Sequence, residues 1–124
     1  MARILLVEDA LEVRRTLRRM LETEGHSIIE AGNGNEAIAL LREGPVDLVI
    51  TDIVMPGTDG IELLRQLPEI KPGLPVIAMS GGGKQLPATV GLSLAKAFGA
   101  LHTLYKPFRK PELVRMIDGL LCPP

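Results

Sequence analysis

Short apolar runs alternate with stretches of helical period along this 124-residue chain. Several runs lack polar alternation, which is typical of strands covered on both faces of a parallel sheet. Between them, apolar residues recur at steps of three and four, as on the buried face of an amphipathic helix. The runs predicted to be strands cover residues 4–7, 28–29, 46–50, 76–79 and 101–105.

The helical stretches each carry one apolar stripe. In the first, the stripe leaves the arginines of "RRTLRR" to other faces, where they either are solvated or help to dock a partner. Pro111 stands where the first turn of a helix tolerates proline, so the last helix is predicted to begin there. The stripe residues are Val13, Leu17, Met20 and Leu21, then Ile38 and Leu41, Ile61 and Leu64, and finally Leu113, Met116, Ile117 and Leu120.

This alternation predicts the fold class. Five strands alternating with five helices form a βαβ series, which favours an α/β domain with a doubly wound parallel sheet and helices on both faces. We expect residues 1–124 to form a single domain with no output domain, because the length suits one domain and no linker or repeat interrupts it.

Composition narrows the function classes. Apolar residues make up 46% of the chain and charged residues 23%, as in soluble globular proteins. The net charge of −1 and only three aromatic residues disfavour nucleic acid and anionic membranes as partners. One cysteine, Cys122, no membrane-length apolar run and no room for a signal peptide before the first strand predict a cytoplasmic protein.

Charged and hydroxyl side chains stand where the predicted strands end. Glu8 and Asp9 follow the first strand, Asp52 closes the third, Ser80 the fourth, and Lys106 follows the fifth. Each has an ordinary explanation by itself: the acid pair as helix caps, Asp52 and Ser80 as turn residues, Lys106 as a solvated lysine. However, ligands of open parallel sheets bind outside the carboxyl ends of the strands.

Together these residues predict a site for phosphoryl-transfer chemistry. Three close carboxylates repel each other and call for a cation, and carboxylate oxygens suit Mg²⁺, which accepts phosphate as a further ligand. A lysine and a small hydroxyl are suited to contact phosphoryl oxygens. Asp52 is the best-placed nucleophile of the set.

The chain resembles the response regulator receiver domains of two-component signalling over essentially its whole length. Four segments in order carry the resemblance: "ILLVED", "DLVITDIVMPGTDG", "VIAMSG" and "LYKPF". The resemblance implies a flavodoxin-like, chemotaxis-regulator-like fold with strand order 2-1-3-4-5. It also implies a phosphoprotein that is not a classical enzyme, although slow self-dephosphorylation is expected.

The resemblance further implies a role for each strand-end residue. Asp52 would accept a phosphoryl group from a phosphohistidine on a sensor histidine kinase or a histidine phosphotransfer protein. Lys106 and Ser80 would contact the phosphoryl oxygens. Mg²⁺ would be held by Glu8, Asp9, Asp52 and the backbone carbonyl of Val54.

We expect a stand-alone receiver, a monomer or weak dimer, that signals through phosphorylation-dependent contacts with a downstream protein. The sequence departs from the common family pattern at Glu8, usually aspartate, at Ser80, more often threonine, and at Thr103, usually aromatic. The departures at Glu8 and Thr103 favour an alternative, a pseudo-receiver adaptor that binds partners without phosphorylation. Val54 and Gly82 offer no polar side chain to orient an attacking water, which predicts slow loss of the phosphoryl group.

A cofactor enzyme on a similar sheet is a third hypothesis. A flavin site of this kind needs a hydroxyl-rich phosphate loop after the first strand and aromatic side chains against the ring. The segment "VEDALEV" and three aromatic residues supply neither. A colourless purified protein would exclude this hypothesis.

Overall fold

The computed structural model describes residues 2–53, 60–80, 102–105 and 108–121, with only the main chain described at 60, 61, 80 and 105. Within these ranges strands and helices alternate up to the fourth strand, and a last helix follows the fifth strand. The elements are β1 (Arg3–Val7), α1 (Leu11–Glu22), β2 (Ser27–Ala31), α2 (Gly34–Glu43), β3 (Leu48–Asp52), α3 (Gly60–Ile70), β4 (Val76–Ser80), β5 (His102–Tyr105) and α4 (Lys110–Leu121).

The five strands form one sheet in the order β2-β1-β3-β4-β5, and every neighbouring pair is parallel. Parallel neighbours require crossover connections, and α1, α2 and α3 lie in the connections that follow β1, β2 and β3. The predicted fold class and strand order are therefore confirmed. The connection between β4 and β5, where the fourth of the five helices was predicted, lies outside the described residues.

Successive strand residues point to opposite faces of the sheet, and this alternation divides the core in two. One half lies under α2 and α3 and contains Leu5, Val49 and Ala78 of the sheet. The other lies under α1 and α4 and contains Ile4, Ile50 and Ile77. Because both faces are covered, the central strands are buried along nearly their whole length, which explains their unbroken apolar runs.

The bounds of the third strand and of the last helix differ from the prediction. The third strand runs from Leu48 to Asp52 rather than over residues 46–50, because its pairing with β1 begins where Leu48 meets Ile4. Val46 precedes the strand and packs half-buried against the core. The last helix starts at Lys110, one residue before Pro111, which leaves the proline in the first turn as expected.

The stripe of α1 also differs from the prediction. Leu17 and Leu21 are buried and Met20 is half-buried, as predicted, but Val13 is 40% exposed. Arg14 instead turns inward, with only 16% of its side chain exposed. The reason is that acceptors for its guanidinium lie at this position, in the site described next.

Candidate functional site

The register of the two central strands brings the first two acidic positions together. β1 and β3 are parallel neighbours, and Val7 pairs with Thr51. Glu8 follows Val7 and Asp52 follows Thr51, so both acids stand at the same carboxyl edge of adjacent strands. Asp52 is the last residue of β3 and is only 8% exposed.

Glu8, Asp9 and Asp52 form one cluster of carboxylates. Each offers an oxygen atom, and these atoms all lie within 4.8 Å of one another. Glu8 is buried with 2% exposed, Asp52 is buried, and Asp9 is exposed to solvent. The extra methylene of Glu8 is thus accommodated, because its carboxylate lies within reach of both aspartates.

The acid pair does not serve as the cap of α1. The N-cap position is Ala10, whose methyl side chain makes no capping hydrogen bond. The ordinary explanation of Glu8 and Asp9 as helix caps is therefore wrong. Their place at the sheet edge follows from the strands instead.

The other predicted site residues are described only in part. The N–H of Ile53 donates to the carbonyl of Met79, the register partner of Asp52, at 3.0 Å. This pairing sets the main chain of Ser80, the last residue of β4, beside the end of β3. The Ser80 side chain, Val54 and Lys106 lie outside the described residues.

The donor set fits a hard divalent cation. It consists of oxygen atoms alone, on three carboxylates close enough to repel each other. Mg²⁺ prefers oxygen ligands and retains several waters, and the exposed side of the cluster at Asp9 leaves room for them. These residues therefore match the chemistry that Mg²⁺ requires.

Arg14 is a contact residue of this site that the sequence did not reveal. Its Nη1 donates to the backbone carbonyl of Glu8 at 2.7 Å, and its Nε donates to Oε1 of Glu30 at 3.0 Å. Periodicity assigned this arginine to an outer face, and the only signal for it was its place in "RRTLRR".

Glu30 of β2 links two arginines of α1. Its second oxygen accepts from Arg18, whose Nε also bonds Glu22. The hydrogen bond from Arg18, reinforced by Arg14, lowers the pKa of Glu30 below its ordinary value, although partial burial opposes the shift. Glu30 is therefore a charged group that ties α1 to the edge strand of the sheet.

Comparison with known proteins agrees with this geometry. The chain matches the family model of the response regulator receiver domain over residues 4–118. It is 40% identical over 119 residues to the transcriptional regulatory protein ResD of Bacillus subtilis, covering 96% of this chain and 48% of ResD. It is also 40% identical over 122 residues to the response regulator receiver protein CpdR of Brucella abortus, covering 98% of both.

Solved structures show the same architecture. The receiver domain of NtrX from Brucella abortus matches with a TM-score of 0.88 and 29% identity, covering 98% of this chain and 99% of that one. A CheY-like receiver domain protein from Methanospirillum hungatei matches with a TM-score of 0.87 and 25% identity, covering 98% and 94%.

The five-stranded parallel sheet and the acid cluster at its carboxyl edge are the features expected of a receiver domain, and the family match identifies this class of signalling domain. This chain belongs to the response regulator receiver family, whose members are phosphoacceptor modules of two-component signal transduction. It spans about half the length of ResD and of the CpxR proteins that it matches, and nearly all of CpdR. Among the described helices, none is long and apolar enough to cross a membrane.

Proposed function

We propose that Asp52 is the phosphoacceptor of this receiver domain, and that its donor is a phosphohistidine of a sensor histidine kinase or a histidine phosphotransfer protein. The carboxylate cluster at the sheet edge carries the proposal. Asp52 is buried at the end of a central strand, so its position is rigid, and two further carboxylates lie within 4.8 Å. Charges this close at a strand end are costly unless the site uses them.

The transfer forms one bond and breaks another. A carboxylate oxygen of Asp52 attacks phosphorus, the P–N bond to the donor histidine breaks, and the imidazole nitrogen keeps the electron pair. The product is an acyl phosphate on Asp52 and a neutral histidine, because the other ring nitrogen of the phosphohistidine carries a proton at the moment of transfer. Lys106 and Ser80 are the residues we assign to the phosphoryl oxygens, since each directly follows or ends a strand at the same edge.

Glu8, Asp9, Asp52 and the backbone carbonyl of Val54 are assigned as the Mg²⁺ ligands. When bound, Mg²⁺ supplies positive charge that offsets the repulsion between the carboxylates and the incoming phosphoryl group. Glu8 and Asp9 would hold the ion from the connection between β1 and α1, and Asp52 presents the nucleophile from the end of β3.

We further propose that the domain works as a stand-alone receiver, monomeric or weakly dimeric, whose phosphorylation changes its contacts with a downstream protein. The likeness to CpdR along nearly the whole of both chains supports the stand-alone part of this proposal. The full-length match contrasts with ResD, of which this chain spans about half.

Intact mass spectrometry tests the proposal. The protein is incubated with Mg²⁺ and a small acyl-phosphate donor such as acetyl phosphate. The wild type should gain the mass of one phosphoryl group, and Asp52→Asn should gain none. Asp47→Asn is the matched control, since Asp47 is an exposed carboxylate just before the same strand and should leave the gain intact.

The outcomes separate the proposal from its alternative. No gain in the wild type, or an equal gain in Asp52→Asn, would refute the phosphoacceptor role. Lack of phosphorylation together with retained binding to a partner protein would instead identify the pseudo-receiver adaptor. Omission of Mg²⁺ should abolish the gain if the assigned ligands hold the ion.

A further inference from the structure

The β1–α1 loop, residues 8–10, carries two of the three clustered carboxylates, and its main chain is held from two directions. The N–H of Glu8 donates to the carbonyl of Ala31 in β2 at 3.1 Å. The carbonyl of the same residue accepts from Nη1 of Arg14 at 2.7 Å. One peptide group on each side of the Glu8 α-carbon is thus fixed, which limits rotation of the segment that presents its carboxylate.

Arg14 can fix the backbone of the loop because its own side chain is fixed by Glu30. Its side chain is only 16% exposed, and its Nε is bonded to Glu30 at 3.0 Å. A guanidinium is planar and presents its donors in a rigid fork, so fixing one nitrogen on β2 also aims the others. The arginine therefore connects three elements: α1 that carries it, β2 through Glu30, and the β1–α1 loop through Glu8.

The N-cap residue of α1 makes no capping hydrogen bond through its side chain. A serine, threonine, asparagine or aspartate at the N-cap would fix the entry into the helix through its side chain. Ala10 occupies this position and has no such group. The bond from Arg14 to the Glu8 carbonyl performs the anchoring that a capping side chain performs elsewhere.

Gly32 leaves the space in which the arginine lies. A Cβ atom at this position would stand 3.3 Å from Nη1 of Arg14, closer than most such contacts, and 3.6 Å from a carboxylate oxygen of Glu36. Gly32 has no positive φ, so its backbone does not require glycine. What the absent side chain provides is room for the nitrogen that holds Glu8.

We propose that Arg14 is a positioning residue that sets the geometry of the carboxylate cluster through the backbone of Glu8, and that Gly32 keeps its guanidinium in place. The inference deepens the proposed function, because it concerns the same Mg²⁺ site. Removing partners that orient metal ligands typically weakens metal affinity about 10–100-fold, and we expect about a tenfold loss here.

An effect of charge alone would change the Mg²⁺ affinity of Arg14→Gln in the opposite direction, so the direction of the change distinguishes the two explanations. Arg14→Gln removes a positive charge near a cation site, so electrostatics without positioning would tighten Mg²⁺ binding. Positioning requires weaker binding. Mg²⁺ alone is titrated into the isotope-labelled protein, and backbone amide shifts around Asp52 report the dissociation constant.

Two arginine controls lie on the same helix. Arg15→Gln makes the same charge change at an exposed position and should leave the dissociation constant within about twofold. Arg18→Gln removes the other guanidinium bound to Glu30 without touching the Glu8 carbonyl, and should also have little effect. The carbonyl ¹³C resonance of Glu8 in metal-free protein should move in Arg14→Gln and stay in both controls.

Gly32→Ala tests the same nitrogen with all charges retained, and it serves if Arg14→Gln fails to fold. It should move the Glu8 carbonyl resonance and weaken Mg²⁺ binding. Gly44→Ala is its control, because a Cβ there meets nothing within 4 Å.

Binding in Arg14→Gln as tight as in the wild type, or equal losses in Arg14→Gln and Arg15→Gln, would overturn the inference. If the wild type shows no Mg²⁺-dependent shifts, the magnesium part of the proposed function is wrong. The carbonyl resonance of Glu8 in metal-free protein is then the measurement that tests positioning by Arg14.

Discussion

Replacing Asp52 with asparagine should stabilise the metal-free protein, although it removes the proposed phosphoacceptor. The substitution keeps the size of the side chain and removes one of three carboxylates that lie within 4.8 Å of each other. Of the other two, Glu8 is also buried. The repulsion between these two buried groups therefore contributes a term that opposes folding, and the other contacts that both side chains make act against it.

The distance sets the size of the effect. Two unit charges 4.8 Å apart repel by about 3 kcal/mol at an effective dielectric constant of about 20. The contribution of Asp9 is smaller because it is exposed. Contacts that the aspartate makes and the asparagine loses reduce the gain, so we expect Asp52→Asn to raise the free energy of unfolding by about 1–3 kcal/mol.

Magnesium should narrow or reverse this difference. A ligand that binds only the folded state stabilises it, and at a free concentration ten times the dissociation constant the wild type should gain about 1.4 kcal/mol. Asp52→Asn lacks one ligand and should gain much less. The size of the stability difference between the two proteins therefore depends on the ion.

Urea unfolding followed by far-ultraviolet circular dichroism measures both effects, since the chain has no tryptophan for fluorescence. Asp47→Asn is the matched control: its carboxylate accepts from the N–H of Arg3 at 2.8 Å, and asparagine retains an acceptor oxygen. This control should change stability by no more than about 0.5 kcal/mol, with or without Mg²⁺. Equal unfolding midpoints for the wild type and Asp52→Asn in metal-free buffer would show that the repulsion argument is wrong.

Three further predictions concern other parts of the chain. The hydrogen bond from Arg18 is the main cause of the lowered pKa of Glu30. The contribution of Glu30 to the free energy of unfolding should therefore be complete above the ordinary pKa of 4.5 and disappear as the pH falls through the lowered pKa. Glu30→Gln should reduce this loss of stability at acid pH when unfolding is measured against pH. Phosphorylated protein should lose its phosphoryl group slowly, since Val54 offers no polar side chain to an attacking water, and a lifetime of seconds by mass spectrometry would contradict this. Leu41→Ala, at a fully buried position of α2, should cost about 2–5 kcal/mol in urea unfolding, whereas Leu11→Ala, which is 46% exposed, should cost less than about 1 kcal/mol.

The order of the elements and the place of the acids were readable from the sequence. A carboxylate that follows an unbroken apolar run of a parallel sheet has few positions available to it. Both faces of the sheet are covered, so only the end of the strand is open to solvent. For this reason the sequence pattern alone assigns Glu8 and Asp52 to one edge of the sheet, and the register of β1 with β3 agrees.

The facing of individual helix residues was decided by the tertiary structure. Val13 and Arg14 lie four and three residues before Leu17, so both satisfy the spacing of a buried stripe, and hydropathy selects the valine. The folded chain selects Arg14, because the carboxylate of Glu30 and the carbonyl of Glu8 are the acceptors that its guanidinium needs. Those acceptors belong to elements distant in the chain or to backbone, and periodicity within one helix contains no information about them. The sequence by itself thus determined at which edge of the sheet the carboxylates lie. Only the packing of α1 against β2 decided which arginine bonds the backbone of Glu8 at that edge.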